Sequence, residues 1–241
     1  MFDIDGTLIS TNGMAGKLML RALEEEVGRG IQYELKVFVG STDRMILREF
    51  IQKSGIQIDD IEATIDRVLK RYLQYLDEQM NSPNYVKVLP GVKELLNRAK
   101  IGPRTYLGLV TGNIKDGAHA KLRWANLHDF FPIGAFGDDA VDRNKLPGIA
   151  VQRAQVFYKT RFSKDNIWII GDSPKDILCA KANQLRSLAV ASGWHKIDEL
   201  SPYNPDVLIQ NLCEPDRVMK VFLEEFGEGS NSVSAIIDQT P

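Results

Sequence analysis

Apolar and polar positions follow two different rhythms along this chain. From residue 92 onward, short apolar runs alternate with stretches whose apolar residues recur at helical spacing. Strands that alternate with helices are typical of a parallel sheet covered by helices on both faces. This part of the chain therefore predicts a doubly wound α/β fold. Its predicted strands are 105–110, 133–136, 166–170, 187–191 and 207–209, and its predicted helices are 92–99, 115–125, 147–157, 174–182 and 214–226.

The segment between residues 12 and 87 has no strand pattern of comparable strength. Its apolar residues recur at helical spacing in LMLRALEEEV, DRMILREFIQK and DDIEATIDRVLKRYLQYLDEQM, and each stretch has a charged face. Because ordinary connections between elements are far shorter, we expect an all-helical domain inserted between the first and second strands. The predicted organisation is an α/β core at 1–11 and 88–226, a helical domain at 12–87 and a mobile polar tail at 227–241.

The composition changes this picture little. The 241 residues are 44% hydrophobic and 26% charged, which suits one large domain that carries an insertion. The net charge of -2 gives no reason to expect binding to nucleic acid or to an anionic membrane. No apolar run is long enough to cross a bilayer and MFDIDG is unlike a signal peptide, so we expect a cytoplasmic protein. Cys179 and Cys213 lack metal-site spacing, and we expect two buried thiols.

The first candidate for chemistry is DIDGT at residues 3–7. Side chains at positions i and i+2 of a strand share a face, so Asp3 and Asp5 should point into the same space. Two carboxylates this close repel each other unless a cation joins them or one holds a proton. The pair could supply a nucleophile, a metal ligand and a general acid. An ordinary turn, in which Asp caps its own backbone, explains DIDGT equally well on its own.

Two further segments follow predicted strands. Thr111, Gly112 and Asn113 offer a hydroxyl, a flexible glycine and exposed amides that can hold phosphate oxygens, or they simply cap the next helix. Asp172 and Asp176 lie in GDSPKD, after the apolar run IWII. Their carboxylates are the hard ligands that Mg²⁺ prefers, although Ser-Pro followed by Asp is also a common helix start. Ligands of doubly wound sheets bind beyond the carboxyl ends of the strands, where all these segments should meet.

DIDGT, TGN and GDSPKD, in this order and at these strand ends, resemble the haloacid dehalogenase-like hydrolase superfamily. The resemblance covers nearly the whole chain, including VLPGVKELL at the return from the helical insertion. The position of the insertion resembles the helical cap of the branch that contains phosphoglycolate phosphatase and β-phosphoglucomutase. The resemblance implies a Rossmann-like core with an all-helical cap domain, and a Mg²⁺-dependent phosphatase that forms an aspartyl phosphate.

The resemblance also gives each motif residue a role. Asp3 would attack phosphorus, and Asp5 would protonate the leaving alcohol and later deprotonate the attacking water. Asp5 favours phosphoryl chemistry, because dehalogenase members lack a carboxylate at that place. Mg²⁺ would be held by Asp3, the backbone carbonyl of Asp5 and Asp172, while Asp176 would bind it through water or support the direct ligands. The phosphoryl oxygens would be bound by Thr111, Gly112, Asn113 and a basic residue.

The basic residue is either Arg143 or Lys145. The segment DRNKLPGIAVQRA departs from the lysine-proline form that is common in the superfamily. Arg143 is preferred because RNxLxxIAxxRA resembles a variant of this branch, whereas Lys145 begins a lysine, spacer, proline sequence. A positive charge here would neutralise the phosphate and keep the nucleophilic carboxylate ionised.

By resemblance, the cap selects the substrate. The candidates are Gly40, Ser41, Thr42 and Arg44, in a loop between two cap helices, and a plain helix N-cap is the alternative. We expect a small phosphomonoester such as phosphoglycolate, a sugar phosphate or a nucleotide, bound by a monomer or homodimer. A sugar-phosphate mutase is an alternative, although no residues for a second phosphate are identifiable. A non-catalytic phosphate-binding relative is another, although no carboxylate is missing.

The N-terminus departs from the expected pattern. Only Met1 and Phe2 precede Asp3, whereas strands usually run to about five residues. A charged α-amino group near the middle of a sheet is costly to desolvate. We therefore predict further apolar residues upstream in the native protein.

Overall fold

The computed structural model describes residues 1–31, 35–79, 85–102, 104–223 and 235–236. The strands in these residues are β1 (Ile9–Ser10), β2 (Lys87–Val88), β3 (Leu109–Val110), β4 (Gly134–Ala135), β5 (Trp168–Gly171), β6 (Arg186–Val190), β7 (Val207–Ile209) and β8 (Ala235–Ile236). Their main sheet is parallel and runs β4, β3, Phe2, β5, β6, β7, β8, with Phe2 bridging the strands on either side. The doubly wound α/β fold is confirmed.

Phe2 lies between β3 and β5 in this sheet and bridges the two strands as a single residue. Its amide donates to the carbonyl of Gly108 at 2.9 Å, and its carbonyl accepts from the amide of Val110 at 2.9 Å. On the other side, the amide of Asp3 donates to the carbonyl of Ile170 at 2.9 Å. Asp3 therefore emerges at the carboxyl end of the sheet between β3 and β5, where ligands of such folds bind.

The α-amino group of Met1 is buried beneath this position. It donates to the carbonyl of Trp168 at 2.8 Å. Burial lowers the pKa of the group to about 5, because desolvation penalises its charged form. The expectation of further apolar residues upstream stays a prediction.

Helices cover the sheet and fill the insertion between β1 and β2. None of the described helices is both long and apolar enough to span a membrane. They are α1 (Met14–Val27), α2 (Asp43–Lys53), α3 (Ile61–Gln79), α4 (Val92–Ile101), α5 (Lys115–Trp124), α6 (Leu146–Tyr158), α7 (Pro174–Ala182), α8 (Ile197–Leu200) and α9 (Pro215–Leu223). The ends of α2 and α7 match the predicted stretches residue for residue, whereas α1 begins four residues earlier than predicted and α8 was not predicted.

The inserted helices α1, α2 and α3 have a hydrophobic core of their own. Leu23, Leu47, Ile65 and Tyr72 are among its nearly solvent-free side chains, and Ile114 from the α/β part packs against them. The all-helical cap on a Rossmann-like core is confirmed as the fold class. The division at residues 12 and 87 stays a prediction.

Three features concern expectations from the sequence that the structure corrects or only partly covers. The segments that enter and leave the insertion pair as an antiparallel ladder, Ile9 with Val88 and Ser10 with Lys87, so residue 87 lies in a strand that was not predicted. The prediction of two buried thiols was wrong for Cys213, which is exposed in the turn before α9, whereas Cys179 is buried in α7. The predicted tail at 227–241 lies outside the described residues except for β8, which pairs with β7.

Candidate active site

A cavity of about 570 Å³ lies between the carboxyl end of the sheet and the helical cap. Asp3 and Asp5 follow the bridge at Phe2. Thr111 follows β3 and Asp172 follows β5, the strands on either side of that bridge. Neighbouring strands of a parallel sheet end at the same edge, which brings the three motifs together. The TGN and DIDGT segments both contribute lining residues to the cavity.

Three buried carboxylates form a cluster at the floor of the site. One oxygen each from Asp3, Asp172 and Asp176 lie within 4.8 Å of one another. The Thr7 hydroxyl donates to Asp172 at 3.2 Å, and the Ser173 hydroxyl donates to Asp176 at 2.6 Å in a capping box at the start of α7. The side chain of Asp176 therefore has two roles: it caps the start of α7 and it belongs to the acidic cluster.

The backbone conformation and close surroundings of residue 6 explain why it is glycine in DIDGT. Its φ of 82° lies in the left-handed region, which is strained for residues with a side chain. A Cβ atom at this position would also lie 2.2 Å from Oδ2 of Asp172. The glycine thus lets the chain turn while the carboxylate of the third motif approaches its backbone.

The cluster carries more negative charge than its surroundings neutralise. Burial raises the pKa of Asp3 to about 6, although Arg143 opposes the shift. Burial, then Asp176 and Asp3, raise the pKa of Asp172 well above its ordinary value. Oδ1 of Asp3 is buried and makes no hydrogen bond to the described residues. This donor set fits Mg²⁺, because a divalent cation prefers carboxylate oxygens and would satisfy the unpaired atom.

Arg143 supplies the positive charge at this cluster. Its guanidinium contacts Asp176 and donates to the carbonyl of Gly40 at 2.9 Å. The same group lies 3.3 Å from Oδ1 of Asp3, without the alignment of a hydrogen bond. Its Nε is buried and has no acceptor among the described residues. Lys145 is exposed at the start of α6, so of the two predicted alternatives only Arg143 reaches the cluster.

Lys121 is a site residue that the sequence analysis missed. Its Nζ donates to Oδ2 of Asp5 at 2.6 Å and to Oδ1 of Asn113 at 2.5 Å. The side-chain amide nitrogen of Asn113 donates to the same Asp5 oxygen at 2.9 Å and to the Thr111 hydroxyl at 2.8 Å. Burial alone would lower the pKa of Lys121, but the charge of Asp5 raises it above its ordinary value. Lys121 is therefore a buried ammonium that fixes Asp5 and the TGN segment together.

A signal for Lys121 was present in the sequence. Within α5, Ala118, Lys121 and Leu122 share the buried face, so a lysine stands where the helical spacing asks for an apolar residue. Lysine is almost never fully buried without a partner. A charged residue on an apolar helix face beside a phosphate-binding motif therefore indicates a buried acidic partner.

The predicted substrate loop packs directly against TGN. The amide of Asp43 donates to the carbonyl of Gly112 at 2.8 Å, and its carboxylate accepts from the amide of Ile114 at 2.9 Å. A Cβ atom on Gly112 would lie 2.0 Å from the carbonyl oxygen of Ser41. Glycine is thus needed at this position so that the cap loop can close on the core.

The four predicted loop residues have different surroundings. Gly40 and Ser41 line the cavity. Thr42 is buried, caps α2 through the amide of Met45 at 3.3 Å and donates to the carbonyl of Val141 at 2.8 Å. Arg44 turns away from the cavity and pairs with two carboxylates of α3, Glu62 at 3.1 Å and Asp66 at 2.8 Å. The loop contacts the site through its backbone and small side chains.

Known proteins can now be compared with this geometry. The sequence model described as haloacid dehalogenase-like hydrolase matches residues 1–190. The chain belongs to this family. A phosphoglycolate phosphatase of Escherichia coli O157:H7 is 26% identical over 230 residues, which cover 88% of each chain. The pyrophosphatase PpaX of Oceanobacillus iheyensis is 24% identical over 212 residues, 88% of this chain and 92% of the relative.

The solved structures agree on the fold. The crystal structure of a hydrolase from Pseudomonas syringae superposes with a TM-score of 0.72 at 19% identity, and the match covers 91% of this chain and 96% of that one. The cap and the core of the two chains therefore share one architecture.

Proposed function

We propose that the protein is a Mg²⁺-dependent phosphatase that hydrolyses a small phosphomonoester through a phosphorylated Asp3. The observation that carries the proposal is Oδ1 of Asp3, a buried carboxylate oxygen that makes no hydrogen bond to the described residues, although it lies 3.3 Å from the guanidinium of Arg143. A buried carboxylate oxygen in this position is stabilised by a bound cation. A metal ion bound together with the phosphoryl group supplies that charge.

Asp3 is the proposed nucleophile. Its carboxylate oxygen forms a bond to phosphorus while the bond from phosphorus to the leaving oxygen breaks. Asp5 enters this step in its protonated form and donates that proton to the leaving oxygen. In the second step Asp5 takes a proton from water, the water oxygen bonds to phosphorus and the bond to Asp3 breaks. Asp5 suits this role because it is partly exposed to the cavity, whereas Asp3 is buried.

Asp3, Asp172 and Asp176 are the proposed side-chain ligands of Mg²⁺, together with the backbone carbonyl of Asp5. When bound, the ion supplies positive charge that offsets the carboxylates and the phosphoryl oxygens. Arg143 lies at the same cluster and lines the cavity, so its guanidinium can bind an oxygen of the transferred phosphoryl group. Catalysis of this kind consists mostly of positioning and charge stabilisation.

TGN is the proposed phosphate cradle. Thr111 and Asn113 are buried and bonded to each other, so the turn is rigid before a substrate arrives. Lys121 holds Asn113 and Asp5 in one network, which places the proton donor beside the cradle. Such preorganisation costs nothing at the moment of reaction.

Release of phosphate from p-nitrophenyl phosphate tests the proposal. We expect turnover with Mg²⁺, none with excess EDTA, and none for Asp3→Asn even with Mg²⁺. Circular dichroism and the thermal unfolding of the Asp3→Asn protein without metal show whether the variant is folded. Metal-dependent turnover that survives this substitution would contradict the assignment of Asp3.

A further inference from the structure

We propose that the leaving group of the substrate is an uncharged alcohol with an apolar body, which excludes a second phosphate or a carboxylate. This inference rests on the proposed phosphatase function and narrows it. It follows from the charges and the surface of the cavity beyond the acidic cluster.

Positive side chains are scarce in the cavity. All 30 Lys and Arg residues of the chain fall within the described residues. Only Lys121 and Arg143 line the cavity. Lys121 is paired with Asp5, and Arg143 is paired with Asp176 and faces Asp3. Neither is free to neutralise an anion on the leaving group.

The lysine and arginine side chains in and around the cap loop already have partners outside the cavity or on its rim. Arg44 is held by Glu62 and Asp66 on α3. Lys36 pairs with Glu199, and Lys175 donates to the hydroxyl of Ser41 from outside the cavity. To serve an anionic leaving group, any of them would have to give up its present partner.

Negative groups are more frequent in the same space. Asp3, Asp5 and Asp43 line the cavity, and Asp43 belongs to the cap loop. A carboxylate or second phosphate on the leaving group would face Asp43 without a partner of opposite charge. Burial of an unpaired charge is strongly unfavourable, whereas a neutral alcohol meets no such cost.

The first turn of α1 is another source of positive potential among the described residues. Gly13 gives this helix no side-chain cap, and Ala15 and Gly16 line the cavity. The free amides of a helix start correspond to roughly half a charge, and they also suit a neutral hydroxyl or ether oxygen. Ser10, Thr11 and Asn12 add further neutral polar groups to this side.

The cavity also has an apolar wall formed by Met19, Phe38, Val39, Ile46 and Tyr72. Phe38 is 5% exposed and packs edge-on against Phe50, with ring centroids 4.5 Å apart, so the wall is built into the cap core. Contact with such a surface favours a substrate with apolar area, because apolar surface gains free energy when it is removed from water.

Matched substrate pairs test the charge argument. Benzyl phosphate and 4-carboxybenzyl phosphate differ by one remote charge, and phosphoglycolate and its amide differ by one charge at nearly constant size. We expect kcat/KM to be at least about tenfold higher for the neutral member of each pair, because the site offers the charge no partner. Pyrophosphate should be a poorer substrate than benzyl phosphate.

A charge placed in the apolar wall gives a second test. Met19→Lys adds a cation to the wall, and Met19→Gln is the control that changes polarity without charge. We expect Met19→Lys to shift the ratio of kcat/KM for 4-carboxybenzyl over benzyl phosphate upward by about tenfold relative to Met19→Gln. The ratio is internal to each variant, so a general loss of activity does not affect it.

The outcomes separate the two proposals. If benzyl phosphate is hydrolysed faster than 4-carboxybenzyl phosphate, phosphoglycolate and pyrophosphate, the result supports both the phosphatase function and the neutral leaving group. Turnover that favours phosphoglycolate, 4-carboxybenzyl phosphate or pyrophosphate overturns the neutral leaving group but leaves the phosphatase in place. No Mg²⁺-dependent turnover of any phosphoester would overturn both.

Discussion

Nζ of Lys121 lies 2.6 Å from Oδ2 of Asp5, in a site where the lysine side chain is 3% exposed. This ion pair joins α5 to the DIDGT segment and places a fixed positive charge at the proposed acid and base. The same ammonium binds Asn113, so one side chain sets the distance between the proton donor and the phosphate cradle.

Substitution of Lys121 by Met should impair protonation of the leaving group. We expect kcat/KM to fall by about 100-fold for an alkyl phosphate and much less for p-nitrophenyl phosphate, whose leaving group needs little protonation. Steady-state kinetics with both substrates measure the difference. Lys145→Met is the matched control, because Lys145 is an exposed lysine outside the site. Equal losses on both substrates would show that Lys121 is structural only.

Arg143 should resist replacement even by lysine. Its planar guanidinium reaches Asp176, Asp3 and the carbonyl of Gly40 together, and a single ammonium cannot reproduce this fork. We expect Arg143→Lys to lose roughly 100-fold in kcat, as for other groups that stabilise charge in a transition state. A kcat close to that of the unchanged enzyme would remove Arg143 from the phosphate site.

The comparison of Arg143 with Lys145 shows why the sequence left this choice open. The residues are two positions apart in a 3-10 turn, where small rotations decide which side chain turns inward. By contrast, α7 could be placed from its sequence because Ser173, Pro174 and Asp176 carry strong local start signals. The position of Lys121 on the buried face of α5 indicates that it has a buried acidic partner, but that partner, Asp5, lies 116 residues away and no local pattern identifies it.

Closure of the cap should depend on the absence of a side chain at residue 112. Gly112→Ala would bring a Cβ atom to 2.0 Å from the Ser41 carbonyl, so the loop must move away from the core. We expect a rise in KM and a loss of kcat, because the loop no longer completes the site. Gly148→Ala, whose new atom would lie 3.4 Å from the nearest side chain, is the control for an added methyl group. Unchanged kinetics in Gly112→Ala would mean that the loop contact is dispensable.

The acidic cluster predicts a defined pH dependence of stability. The pKa of Asp3 is raised to about 6 in the folded state, and that of Asp172 is also raised. The folded protein therefore binds protons more tightly than the unfolded chain, and without metal its stability should fall as pH rises from about 4 to about 6. Thermal unfolding with EDTA across this range checks the sign.

Mg²⁺ should reverse this trend, because it competes with protons for the same carboxylates. The rise in melting temperature caused by Mg²⁺ should be larger at about pH 7.5 than at about pH 5. Asp172→Asn should reduce this rise at the higher pH. A Mg²⁺ effect that is independent of both pH and Asp172 would place the metal elsewhere.

Trapping of the phosphorylated enzyme tests the central claim most directly. Turnover of p-nitrophenyl phosphate is stopped with acid, the protein is reduced with borohydride, and mass spectrometry locates the residue that had carried phosphate. The account predicts the reduced residue at Asp3, with no trapped product in Asp3→Asn. A phosphorylated residue other than Asp3, or rapid turnover by Asp3→Asn, would contradict it.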